Sequence, residues 1–324
     1  MALVYLLASP EAELVGIAST SGNVAAQQVC INNLGLLELC KARAIPVSKG
    51  ADQPLSSALR TAEDTHGPKG LGYADLPQNG RTLTDYDAAE AWVRAARAHP
   101  GDLIGLVTGP LTNLALALRL EPELPNLLRR LVIMGGSFWY RGNTDLVAEW
   151  NISVDPESAA EVFAAWSGRS SLPIVLGLNL TENIAMTPAI FTRLAEAAGS
   201  SSVPMSVLDP RGTRSGASNP LIRVLEDAIR FYYEFHFDQG EGYLAHLHDP
   251  LAAAVALDPT MVQCRMATVG VELAGQLTRG MTIADWSGQW GKAPNADVGV
   301  SVDPDAFFDR FIERVGVYAR RLYS

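Results

Sequence analysis

Short apolar runs, each closed by glycine, asparagine or threonine, alternate along this chain with longer stretches of helical spacing. Residues 13–20 (ELVGIAST) read as a strand running into Ser21-Gly22-Asn23, and residues 24–40 then carry helical periodicity. The pattern returns with a helix over 87–98, a strand over 103–107, and a helix opened by Thr108-Gly109-Pro110 and running through 118. A buried strand over 131–134 (LVIM) stops at Gly135-Gly136, a helix follows over 156–166, and a strand over 173–178 (PIVLGL) ends at Asn179. Strands separated by helices of this length predict an α/β protein whose mostly parallel, doubly wound sheet is covered on both faces. Residues 188–198 and 221–237 read as peripheral helices, residues 266–274 as a strand, antiparallel and at an edge, and residues 305–322 as a closing amphipathic helix.

The chain has 324 residues and is 48% hydrophobic, enough to build a full core, and no repeat or linker divides it, so one domain over residues 1–324 is expected. The net charge of −10 without any basic run argues against nucleic acid polymers as partners. No apolar stretch approaches the length of a membrane span. Cys30, Cys40 and Cys264 have neither a disulfide framework nor metal-ligand spacing, and read as reduced thiols of a cytoplasmic protein.

Ligands of open α/β sheets bind beyond the carboxyl ends of the strands, so the residues just after each apolar run carry the chemistry. Those residues are Asn23, Thr108, the Gly135-Gly136 turn with its loop to Asn143, and Asn179. Amides, hydroxyls and free backbone, without a nucleophile elbow or phosphate loop, suit a neutral, polyhydroxylated ligand. Glu149 and Asn151 are two residues apart, and in an extended segment they would grip adjacent hydroxyls from one side. His248-Asp249 joins a proton donor to a hard oxygen ligand, although Asp249 before Pro250 also reads as a helix cap. Phe231, Tyr232, Tyr233, Phe235 and Tyr243 offer either stacking surface for a base or ordinary helix core, and His236 and His246 are alternative acids to His248.

Taken in order, these segments resemble the inosine-uridine preferring nucleoside hydrolase family across nearly the whole chain. The resemblance rests on Ser21-Gly22-Asn23-Val24, His66-Gly67 with Gly70-Leu71-Gly72, Thr108-Gly109-Pro110-Leu111-Thr112-Asn113 and Met134-Gly135-Gly136. It continues through Gly142-Asn143, Ala148-Glu149-Trp150-Asn151, Val154-Asp155-Pro156-Glu157, His248-Asp249-Pro250 and Leu277-Thr278-Arg279-Gly280. The resemblance implies a Rossmann-like sheet and hydrolysis of the N-glycosidic bond of a ribonucleoside by a Ca²⁺-bound water. It further implies the Thr108 carbonyl and Asp249 as calcium ligands, Asn143, Glu149 and Asn151 on the ribose hydroxyls, Asn23 at the sugar and His66 near the base. His248 and Asn151 are implied in the catalytic step, His248 as the acid for the departing base. A homodimer or homotetramer is implied in the same way.

The family also begins with a strand ending in Asp-x-Asp-x-x-x-Asp-Asp-Ala, and residues 1–10 (MALVYLLASP) align with the helix after it. The expected sheet therefore lacks its first strand, and Glu11 and Glu13 lie beyond that helix, out of reach of the aspartates' roles. The abrupt apolar helix start favours Met1 as an internal methionine; a short paralogue without metal chemistry is the other reading. With only Asp249 and a carbonyl, calcium binding is expected to be weak and hydrolysis by these residues slow. The alternative function is a nucleoside- or ribose-binding protein without catalysis.

Overall fold

The computed structural model describes residues 1–201 and 203–324. Ten strands are present: β1 (Ile17–Ser19), β2 (Val47–Lys49), β3 (Leu103–Val107), β4 (Leu128–Met134), β5 (Ile174–Leu176), β6 (Ala185–Met186), β7 (Ala245–His246), β8 (Val262–Val271), β9 (Thr282–Asp285) and β10 (Ala296–Val302). The main sheet has the order β3-β4-β5-β10-β8-β9, parallel from β3 to β10 and antiparallel across β10, β8 and β9. The strand expected over 266–274 is therefore antiparallel, as read, but internal, because β9 takes the edge. The pairs β1·β2 and β6·β7 stand apart from this sheet.

The apolar run Leu131–Met134 at the end of β4, and the whole of β5, follow from burial on both faces. Val132, Met134 and Leu176 enter one core with Tyr5, Phe307 and Phe311. Leu131, Ile133 and Val175 point the other way, into a core with Leu114, Phe163 and Trp166. The opening helix Ala2–Ala8 packs against the helices His248–Leu257 and Pro304–Leu322 and buries Val4 and Tyr5. Cys30 and Cys40 are buried, Cys264 is partly so, and all three are free thiols. Glu11 pairs with Arg314 at 2.7 Å and Glu13 with Arg43 at 3.0 Å, both away from the sheet's functional end.

Among the described residues, β1 pairs with β2 and β3 with β4, and the two ladders do not join. Residues of both strands, with Leu3 and Leu6 of the first helix, line a cavity of about 640 Å³ between them. No helix among the described residues is long and apolar enough to cross a membrane.

One buried acid ties three segments together on the second core. Asp155 caps the helix Pro156–Ala165 by accepting from the Ser158 amide at 3.1 Å, and also accepts from the Leu55 amide at 3.0 Å and the Thr112 hydroxyl at 2.6 Å. Removing it strands three buried donors. Asp155→Ala is expected to lower the unfolding free energy by about 2–4 kcal/mol, read as a lower urea midpoint at unchanged slope.

Candidate active site

The chain turns sharply after β4, where Gly136 has a φ of +85°, a backbone conformation that side chains resist. That turn aims the Gly136 amide at Glu149, whose Oε2 accepts it at 3.1 Å. Glu149 is also the N-cap of the helix Trp150–Val154, with Oε1 accepting from the Asn151 amide at 2.8 Å and Oε2 from the Ile152 amide at 3.0 Å. The segment carrying Glu149 and Asn151 is thus a cap and first helical turn, not the extended stretch expected. Helix-terminal amides need an acceptor, and this carboxylate supplies it. Asn151 donates through Nδ2 to the Met134 carbonyl at 3.1 Å, which leaves its own oxygen uncommitted. Asn143 closes the loop by accepting the Trp150 amide at 2.9 Å.

A cavity of about 760 Å³ opens beside this corner. Asn23, His66, Thr108, Asn143, Glu149, Asn151, His248 and Asp249 all line it. His248 and Asp249 belong to the first turn of the helix His248–Leu257, whose cap position is Leu247, so Asp249 is not the cap. His248 Nδ1 shares a 2.7 Å hydrogen bond with the Thr181 hydroxyl. Asn179, by contrast, is turned to the Gly299 carbonyl at 3.2 Å.

Burial sets the charge states here. Glu149 is pushed up to about 7 despite its three amide donors, because desolvation outweighs them. Burial likewise raises Asp249 to about 6, opposed by the Met1 amino group. His66 is lowered to about 4 by burial, and His248 is held well below its ordinary value by burial and then by His246, His236 and His66. Neutral imidazoles and half-ionised carboxylates suit an uncharged ligand rich in hydroxyls.

Several cavity residues escaped the sequence reading or were left open by it. Tyr232 and Phe235 line the cavity, with Tyr232 packed 5.1 Å from the His66 ring, whereas Tyr233 is core and Phe231 packs on Tyr73. The helix Pro220–Asp238 faces both environments, so its aromatic residues divide between them. Arg141 also lines the cavity and bridges Glu182 at 3.0 Å and Glu241 at 2.7 Å, a link across distant segments that no local spacing announces.

The fold is that of a nucleoside hydrolase. The family model for inosine-uridine preferring nucleoside hydrolases matches residues 1–309, and the chain belongs to that family. It is 35% identical to the pyrimidine-specific ribonucleoside hydrolase RihA of Salmonella paratyphi C, over 98% of this chain and 95% of the relative. Among solved structures it resembles a purine-preferring ribonucleoside hydrolase from Gardnerella vaginalis, with a TM-score of 0.86 at 28% identity, covering 99% of this chain and 95% of that one. An inosine-guanosine nucleoside hydrolase aligns with a TM-score of 0.82, also at 28% identity, over 97% of this chain and 94% of that one.

The raised pKa of Glu149 has a consequence for stability. Its proton is held more tightly in the folded chain, at about 7, than at the ordinary value of 4.5. Stability contributed at this position therefore falls as pH climbs between those two values, by on the order of 3 kcal/mol, and is level outside them. Glu149→Gln is expected to abolish that slope, so denaturation of both proteins at pH 5 and pH 8 shows the wild type losing ground to the variant at the higher pH.

Proposed function

We propose that this chain hydrolyses the N-glycosidic bond of ribonucleosides, yielding ribose and free base. The observation that carries the reading is a single cavity, in a chain of this family, that joins the Glu149–Asn151 corner to an imidazole-lined wall. The names of its relatives, pyrimidine-specific and purine-preferring ribonucleoside hydrolases, support the same substrate class. They also weigh against a binding module without catalysis.

The ribose is held at the end of β4. Glu149 Oε1 accepts one amide and keeps a lone pair for a sugar hydroxyl, the Asn151 oxygen accepts a second, and Asn143 and Asn23 add polar contacts from the rim. As the bond from the anomeric carbon to the base nitrogen breaks, positive charge grows on the sugar, and the carboxylates of Glu149 and Asp249 stabilise it. Asp249, ionised above about pH 6, takes a proton from the water whose oxygen bonds to that carbon. His248 acts as a neutral donor: with Nδ1 engaged by Thr181, its Nε2–H hydrogen-bonds the base as the C–N bond electrons pass to it, and the departing base then takes a proton from solvent while Asp249 gives up the one it took from water. His66 and Tyr232 offer that base ring surface.

The family is generally calcium-dependent. Calcium takes six to eight oxygens; of the expected donors this cavity holds Asp249 and Thr108, and the buried carboxylate of Glu149 is already committed to three backbone amides. The only group of three potential side-chain ligands among the described residues is on another wall of this cavity, at His236, Glu241 and His246, and does not include Asp249. The residues described do not fit calcium, and the step above runs on side chains alone.

The test pairs calorimetry with ribose release, using uridine and inosine. Binding of at least one nucleoside is expected, unchanged by chelator, with slow turnover that calcium accelerates little. Glu149→Ala is expected to weaken binding by about tenfold or more, a loss of at least about 1.4 kcal/mol. Absence of nucleoside binding would overturn the function proposed, and a large calcium-dependent rise in rate would overturn the account of the donors.

A further inference from the structure

One wall of the cavity carries a side-chain cluster that the hydrolytic reading leaves unused. His236 sits in the last turn of the helix Pro220–Asp238, Glu241 follows in the turn after it, and His246 lies in β7. One potential ligand atom from each lies within 4.8 Å of those of the other two, the only such group among the described residues. His236 is 6% exposed, and its Nε2 has no hydrogen-bond partner; His246 Nδ1 is buried without one as well. Buried polar atoms left without partners are uncommon and costly, and here two fall on neighbouring rings whose centroids are 5.0 Å apart.

The third member is arranged to work with them. Glu241 Oε2 pairs with His236 Nδ1 at 2.6 Å, while Oε1 accepts from Arg141 at 2.7 Å. Arg141 thereby orients the carboxylate, and Glu182, 3.0 Å from the same guanidinium, offsets its charge.

We propose that His236, Glu241 and His246 form a zinc site, independent of the hydrolytic reading. Two imidazole nitrogens and one carboxylate oxygen are a ligand set that zinc favours, and the cavity leaves the fourth position open to water or ligand. A hard cation such as calcium is poorly served by imidazoles. Tetrahedral coordination brings ligand atoms to roughly 3.3 Å from one another. Glu241 and His246 are only partly buried, so side-chain rotation closes the distance without moving the helix. The hydrogen bond between His236 and Glu241 is then exchanged for bonds to the ion.

Titration of the metal-free chain with Zn²⁺ against a chromophoric chelator is expected to show one equivalent bound, retained in excess calcium. Co²⁺ in place of zinc is expected to give the intense visible absorption of a four-coordinate site with nitrogen ligands. His246→Gln and Glu241→Gln are each expected to weaken zinc binding by about tenfold or more, since loss of even an outer-sphere partner costs that much, with unchanged circular dichroism. The proposal is overturned if the wild-type chain binds no stoichiometric zinc and gives no such cobalt spectrum. It is equally overturned if both folded variants bind zinc as the wild type does.

Discussion

The cavity exists because a carboxylate is buried where backbone amides converge. Glu149 accepts from Gly136, at the end of one strand, and from Asn151 and Ile152, at the start of a helix, so it fixes the angle between them. Desolvation opposes its ionisation while those amides favour it, and the balance leaves the group near neutrality in its titration. Asn151 reinforces the corner by donating to Met134, which frees its oxygen to face the ligand space. In the function proposed, a residue that holds the fold also meets the substrate, and the two duties draw on different lone pairs of the same side chain.

The residues now lining this cavity were legible from sequence because a parallel sheet gathers the ends of its strands on one side. An apolar run followed by a polar residue marks such an end, and Asn23, Thr108 and the loop to Asn143 follow that rule. Fold class and most helices were legible for the same periodic reason, with the helix Ala88–Ala98 beginning just after Asp87, its capping residue. The less legible parts depend on partners distant in sequence. β10 is not legible because Gly299 breaks its run, yet that glycine fits there, since an added Cβ would come within 2.7 Å of Leu180 and 2.9 Å of Leu176. The strand read over 13–20 contracts to Ile17–Ser19 because only β2 pairs with it. No spacing could announce that Arg141 meets Glu182 and Glu241, because those contacts exist only after folding.

The imidazole-lined wall follows a different electrostatic logic from the Glu149 corner. Burial lowers His66, His236, His246 and His248 alike, and neighbouring imidazoles add to it at His66, His246 and His248, so these rings are uncharged near neutrality. Uncharged imidazoles retain lone pairs as well as N–H donors, which makes the wall receptive to heterocycles and to ions that favour nitrogen. The aromatic side chains beside it, Tyr232 and Phe235, supply flat apolar surface in the same place.

The break between β1 and β3 has a further physical consequence. Among the described residues, each strand has one flank without a ladder, and residues of both line the cavity between them. Backbone N–H groups along those flanks meet solvent-sized space instead of a neighbour's carbonyl. In deuterated water such amides would exchange well before those of β4, so the strands facing this cavity would label sooner than the strands beyond them.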